Sequence, residues 1–247
     1  MKVCTLASGS KGNSIFIGNE NCKILIDVGV SCKQIELRLN KIEESLSEIN
    51  AIFITHEHSD HIAGLKVINK RFNIPIFISK NSYCPKYEDL KNIIFFNPGD
   101  TIDFKKFKIK TFSIPHDALD PVGFKILYKE HSIGVSTDIG KPTYLIKETL
   151  RDCDTVFLEF NHDEDMLING SYPWELKQRI KSNMGHLSNS QALEILKDIE
   201  AENIFISHIS EENNSEEKIF KHIENITNKN FFFTYQHKVS KVLLKRS

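Results

Sequence analysis

The chain has 247 residues, 40% of them apolar and 26% charged, which excludes collagen-like, disulfide-scaffold and wholly disordered classes. Its 32 basic and 33 acidic side chains give a net charge of −1, so nothing global attracts a polyanion and any grip on phosphate has to be local or metal-borne. The five cysteines, Cys4, Cys22, Cys32, Cys84 and Cys153, are scattered without C-x-x-C spacing, which argues against a disulfide framework or thiolate zinc site and for a reducing compartment.

In chain order, the N-terminus runs directly into an apolar, strand-like segment, without the charged start and cleavage site of a signal peptide. No run approaches the roughly 20 apolar residues of a membrane span. The expectation is a cytoplasmic protein with no membrane segment. Short apolar runs then follow, each ending in a polar residue. Residues 24–26 end at Asp27, 52–54 at Thr55 and His56, 109–114 at Pro115 and His116, and 133–135 lead to Asp138. Residues 156–158 end at Glu159 and 204–206 at Ser207 and His208. Such runs suit strands buried on both faces.

Helical stripes alternate with them at Ile35, Leu39 and Ile42, at Ile62, Leu65, Ile68 and Phe72, and at Ala192, Leu193, Leu196 and Ile199. Ser188-Asn189-Ser190-Gln191 is a capping-box start for the last stripe. Hairpins are expected around Lys105-Lys106 and Lys129-Glu130-His131. Asp27-Val28-Gly29 and Asp138-Ile139-Gly140 each follow a strand, a weak sign of two related halves. The expected fold is α/β, mixed sheets packed inside helices, as one domain over residues 1–247.

Thr55-His56-Glu57-His58-Ser59-Asp60-His61 packs three imidazoles and a carboxylate between a predicted strand and a predicted helix. Alternation lets His56 and His58 emerge on one side of an extended segment, while Asp60 and His61 open the helix and face a second ion. His and carboxylate donors without Cys suit zinc, manganese or iron. Glu57 is assigned to solvent or structure, since the spacing is not H-E-x-x-H. His131, His222 and His237 lack motif context and read as surface histidines.

This segment resembles the metallo-β-lactamase superfamily, whose signature is H-x-H-x-D-H. The resemblance implies a four-layered αβ/βα sandwich, two mixed β-sheets flanked by helices, with the site at one edge. It also implies further ligands in order: His116 after Ser113-Ile114-Pro115, the bridging Asp138 in Ser136-Thr137-Asp138-Ile139-Gly140, and His208 after Ile206-Ser207. One ion would then take His56, His58 and His116, the other Asp60, His61 and His208, with Asp138 between. Asp27 matches a family aspartate that orients ligand histidines, and helix N-capping is its equal alternative.

Residues 6–14 (Leu-Ala-Ser-Gly-Ser-Lys-Gly-Asn-Ser), 158–163, 185–189 and 207–214 resemble the YycJ/WalJ-like bacterial branch. That likeness implies a 5′-to-3′ DNA exonuclease with two divalent metal ions roughly 3.5–4 Å apart and a bridging hydroxide, preferring 5′-phosphorylated ends. The β-CASP insertion of related nucleases has no room between Asp138 and His208, and no tRNase Z arm is evident. The alternatives are an acyl hydrolase of thioesterase or lactonase type, since fold does not fix function, and a non-catalytic metal-binding module. A helix over 173–182 carries Lys177, Arg179 and Lys181, which either contact phosphates or form a solvated face.

Beyond the ligands, His186 is expected to face substrate, because an eighth ligand would crowd out the open position that catalysis needs. The helix start beside it would favour a phosphate, with His186 donating a hydrogen bond or protonating the leaving oxygen. Packing beside the cap is the bland alternative. Asn161, His162 and Ser188 complete the expected substrate-binding set, with Asp60 and His186 as the catalytic pair.

Overall fold

The computed structural model describes residues 1–245. The first half supplies strands β1 (Lys2–Ala7), β2 (Ser14–Gly18), β3 (Lys23–Ile26), β4 (Ala51–Phe53), β5 (Ile76–Ser79) and β6 (Ile93–Phe96), with helices α1 (Cys32–Asn40), α2 (Ser59–Ile62) and α3 (Leu65–Phe72). In the second half, β7 (Thr101–Phe104), β8 (Phe107–Ser113), β9 (Val122–Tyr128), β10 (His131–Ser136), α4 (Tyr144–Leu150) and β11 (Thr155–Glu159) come first. They are followed by α5 (Glu164–Asn169), α6 (Trp174–Lys181), α7 (Asn189–Asp198), β12 (Asn203–Ser207), α8 (Glu216–Ile223), β13 (Asn230–Phe233) and β14 (Leu243–Leu244).

Two seven-stranded sheets result, in the orders β14-β1-β2-β3-β4-β5-β6 and β13-β12-β11-β10-β9-β8-β7. In each, a meander of antiparallel strands passes into a parallel set, β3 to β6 in one and β10 to β13 in the other. Strand alternation explains the layering. Ile24, Ile26, Phe53, Phe124, Phe157 and Phe205 face the space between the sheets, where Phe53 stacks on Phe77 and Phe157 on Phe205, both at 4.4 Å. The intervening Leu25, Ile52 and Ile54 face α1 and α3, while Val156, Leu158, Ile204 and Ile206 face α4, α7 and α8. Both strand faces are therefore buried, and the four layers run helix, sheet, sheet, helix.

The single stripe expected from Ile62 to Phe72 breaks into α2 and α3 at Ala63-Gly64. A Cβ on Gly64 would lie 2.4 Å from the Val30 carbonyl oxygen, and its N–H donates to Val28 O at 2.9 Å. Close backbone packing, not propensity, sets that break. The predicted hairpins close at Lys105-Lys106 and at Lys129-Glu130, with His131 already in β10. His131 is not a surface residue as expected: it is half-buried, with Nδ1 3.4 Å from Asp154. Cys4, Cys22, Cys32 and Cys153 are buried free thiols. Among the described residues, no helix is long and apolar enough to cross a membrane.

Candidate metal centre

The carboxyl ends of the central strands of both sheets point to one edge, where open α/β sheets place their ligands. From the first sheet, the segment after β4 delivers His56 and His58, and α2 delivers Asp60 and His61. From the second, residues after β8, β10 and β12 deliver His116, Asp138 and His208. Asp27, Asp138 and His208 hold positive φ of 59°, 59° and 54°, a left-handed turn that swings each side chain off its strand. Non-glycine residues pay for that conformation in strain, and such strain gathers at functional sites.

The His56, His58 and His116 rings meet edge to face, their centroids 4.6, 5.0 and 5.1 Å apart. His116 Nε2 lies 3.3 Å from His58 Nδ1, while His116 Nδ1 meets the Gly185 carbonyl at 3.1 Å. A ring whose Nδ1–H donates to that carbonyl presents a bare Nε2 to its neighbours. Beside them, Asp138 lies among three rings: Oδ2 is 3.3 Å from His61 Nε2, and Oδ1 is 3.5 Å from His208 Nε2 and 3.9 Å from His116 Nε2. Asp60 Oδ2 lies 3.3 Å from His61 Nε2 and 3.7 Å from His208 Nε2.

Donor chemistry shows whether these residues fit a cation. His56 Nε2, His208 Nε2 and Asp138 Oδ2 are buried without a hydrogen-bond partner, an arrangement that is costly unless something else satisfies them. His56, His58 and His116 form one metal-capable group, Asp60, His61, Asp138 and His208 a second, and Asp138, Glu159, His186 and His208 a third that shares two residues with the second. The donor set, imidazoles and carboxylates clustered and buried with unpartnered atoms, fits metal binding.

Electrostatics agree. Burial drives His56 and His116 below the ordinary histidine range, keeping them neutral and able to ligate. Burial works against charge on His61 and His208 as well. There, however, the carboxylates win: Asp138, Asp27 and Asp60 lift His61 well up, and Asp138, Asp60 and Glu159 lift His208 to about 10. Four carboxylates, Asp27, Asp60, Asp138 and Glu159, thus surround His61 and His208 with negative potential, which a divalent cation answers better than protons do.

Asp27 orients and does not cap. Its Oδ2 meets His61 Nδ1 at 2.8 Å, while Thr55 donates to it from N and Oγ1, each at 2.8 Å. The α1 cap is Ser31. Asn13 tethers the loop after β1, its Nδ2 reaching Asp60 Oδ2 at 3.3 Å, and Ser8 Oγ accepts from His208 N at 2.8 Å. Glu57 is buried and accepts from Leu119 N at 3.0 Å, a structural role.

Sequence reasoning missed Glu159. Fully buried at the end of β11, its Oε1 meets His186 Nδ1 at 2.8 Å and His208 Nδ1 at 2.9 Å. Its Oε2 accepts from the backbone N of Ile139 and Leu187. Burial opposes its charge, but His186 and His208 prevail and bring its carboxyl to about 2. Its place at the end of an apolar run, like Asp27 and Asp138, was the available signal. The His186 ring is 5.1 Å from both the His116 and the His208 rings, and its side chain remains 21% exposed, so it rims the site.

The other expected substrate contacts sit deeper. Ser188 is the α7 cap, bonded to Gln191 N while Gln191 bonds back. Asn189 N donates to His162 O, and Glu164 hydrogen-bonds Ser188 and Ser190. The Asn189 and Gln191 N–H groups are thus engaged within the protein, and a carboxylate lies beside the α7 start. His162 is buried beneath this cap, and burial brings it down to about 4. Asn161 Nδ2 donates to His208 O at 3.1 Å. On α6, Lys177 is spent on the carbonyls of Ile168 and Gly170, and Arg179 pairs with Asp117.

Comparison with known proteins agrees with this arrangement. The family model described as "Beta-lactamase superfamily domain" matches residues 23–209. The chain is 32% identical over 220 residues to exodeoxyribonuclease YycJ of Bacillus anthracis, covering 86% of this chain and 83% of the relative. It is 34% identical over 227 residues to exodeoxyribonuclease WalJ of Streptococcus pneumoniae, covering 87% and 84%. Among solved structures, zinc-bound PqqB from Methylobacterium extorquens superposes with a TM-score of 0.76 at 16% identity, covering 99% of this chain and 100% of that one. The fold, the clustered His and Asp side chains and these relatives together make the chain a member of the β-lactamase superfamily, a metallo-β-lactamase-fold hydrolase of the YycJ/WalJ-like branch.

Proposed function

We propose that the chain is a metal-dependent exonuclease that digests DNA from a 5′-phosphorylated end, 5′ to 3′, in the cytoplasm. In this reading His56, His58 and His116 hold one divalent ion, Asp60, His61 and His208 a second, and Asp138 lies between, with zinc, manganese or iron as the metal. Such ions, when bound, polarise the phosphoryl oxygen and make water nucleophilic at neutral pH.

The protein groups supply the proton traffic. Asp60, the most exposed of the carboxylates in the ligand cluster at 21%, takes a proton from the attacking water. The water oxygen bonds phosphorus, the P–O3′ bond breaks, and His186 gives its Nε2 proton to the departing O3′. Glu159, bonded to His186 Nδ1, holds the ring in place, and Asp60 and His186 return to their starting states by exchange with solvent. Asn161 and Ser188 act by holding His208 and the α7 cap, and His162 by packing beneath that cap.

The observation that carries this reading is the Glu159-backed His186 at the rim. A sugar alkoxide is a poor leaving group and needs a proton, whereas a thiolate leaves unaided. The dyad therefore favours phosphodiester over thioester cleavage, and the exodeoxyribonuclease names of the two relatives support DNA. The test is a panel of bis-p-nitrophenyl phosphate, 5′-phosphorylated and 5′-hydroxyl duplex DNA, a thioester and a lactone, each with zinc and manganese. Digestion is expected from the 5′-phosphorylated end. Thioester or lactone turnover without DNA digestion would overturn the reading.

A further inference from the structure

A cavity of about 170 Å³ opens beside His186, outside the metal-ligand cluster. One wall is the inner face of α6 and the loop before it: Tyr172, Leu176, Arg179 and Ile180 follow helical spacing and share that face. Facing them are the polar side chains of Ser10, Asn161 and Ser210. Tyr172 and Ser210 both line the cavity, their side chains near one another. Arg179, held by Asp117, lines it as a cation fixed in place.

We propose that this cavity holds the base of the terminal nucleotide of the strand being cut, the base lying against the wall formed by Tyr172, Leu176 and Ile180. The inference rests on the phosphodiester reading above and adds to it the side on which the departing nucleotide sits. In 5′-to-3′ cleavage the leaving atom is O3′ of the terminal nucleotide. The group that protonates O3′ must touch it, so the departing nucleotide lies on the His186 side, where the cavity is. Its size decides the rest. At about 170 Å³ it falls below the ~300–1,000 Å³ of pockets for drug-sized ligands, which admits one base or sugar and excludes a stacked run. The aromatic and apolar wall holds a base by stacking, which does not read its identity.

The cavity thus sets exonucleolytic release of one nucleotide at a time, with little preference among the four bases. Leu176→Trp fills it without touching a metal ligand. The readout is the ratio of kcat/KM on 5′-phosphorylated DNA to that on bis-p-nitrophenyl phosphate, which has no base. That ratio should fall at least ~10-fold, and deoxyadenosine 5′-monophosphate should lose its competition against the small substrate by a similar factor. If Leu176→Trp does not fold, Tyr172→Ala removes the stacking wall, and Tyr172→Phe, which keeps the ring, should restore both readouts. An unchanged ratio and unchanged nucleotide competition in a folded variant would overturn the cavity assignment alone. Absence of any DNA digestion by the wild-type chain across both metals would overturn the phosphodiester reading and the assignment with it.

Discussion

At the scale of single residues, Asp138 and His186 are proposed to differ in kind, Asp138 holding metal and His186 moving protons. Asp138 sits among His61, His116 and His208, so Asp138→Ala should abolish turnover and lower metal content below two per chain, measured by elemental analysis after reconstitution. His186→Ala should keep both metals and the melting temperature while kcat/KM on DNA falls by about 10²–10⁴. Loss of one metal would show His186 to be a ligand instead. Glu159→Gln should do both kinds of damage, because Oε1 serves His186 and His208 together. Its metal affinity should fall ~10–100-fold, the usual cost of losing an outer carboxylate. Residues 56–61 were legible because their chemistry is contiguous. Glu159 was not, since its partners lie 27 and 49 positions away and only folding joins them. Asp27 was left between two roles, and only the 2.8 Å contact to His61 decides between them.

Elements explain which parts of the fold could be read and which could not. Strands β3, β4, β11 and β12 show as apolar runs because their central residues are buried and apolar on both faces, with polar residues confined to the strand ends. Edge strands mislead in both directions: β6 is an apolar run that nevertheless leaves Ile94 and Phe95 exposed, and the two residues of β14 are too few to show a pattern and pair with β1 across nearly the whole chain. Tight junctions were hidden for the same reason, being set by what lies opposite. After β3, a Cβ on Gly29 would meet the Asp60 carbonyl oxygen at 1.6 Å. Gly29→Ala must therefore push α2 away from the sheet. It should destabilise by about 3 kcal/mol, the upper range for overpacking, and reduce metal affinity because Asp60 and His61 move with α2. Thermal melts and metal titration check this, and a melt within a degree of wild type would contradict it.

For the whole molecule, burial of the thiols predicts a simple chemical map. Cys4 and Cys153 are pushed by burial up to about 12 and Cys22 to about 11, while Cys84 alone among the five is only partly covered. Alkylation at pH 8 should modify Cys84 in the native protein and reach all five only in denaturant, read by mass spectrometry. The larger organisation also has a practical meaning. One sheet and its helices own His56, His58, Asp60 and His61, the other His116, Asp138 and His208, and the chain passes between them through the exposed turn at Asn97–Asp100 and returns to the first sheet only at the short β14. Cut there, the polypeptide would yield two fragments, each with an incomplete coordination set. Neither fragment should hydrolyse bis-p-nitrophenyl phosphate alone, and mixing them with metal should recover turnover in proportion to their reassociation. Catalysis in this architecture is a coincidence detector, silent until both halves of the gene product have found one another.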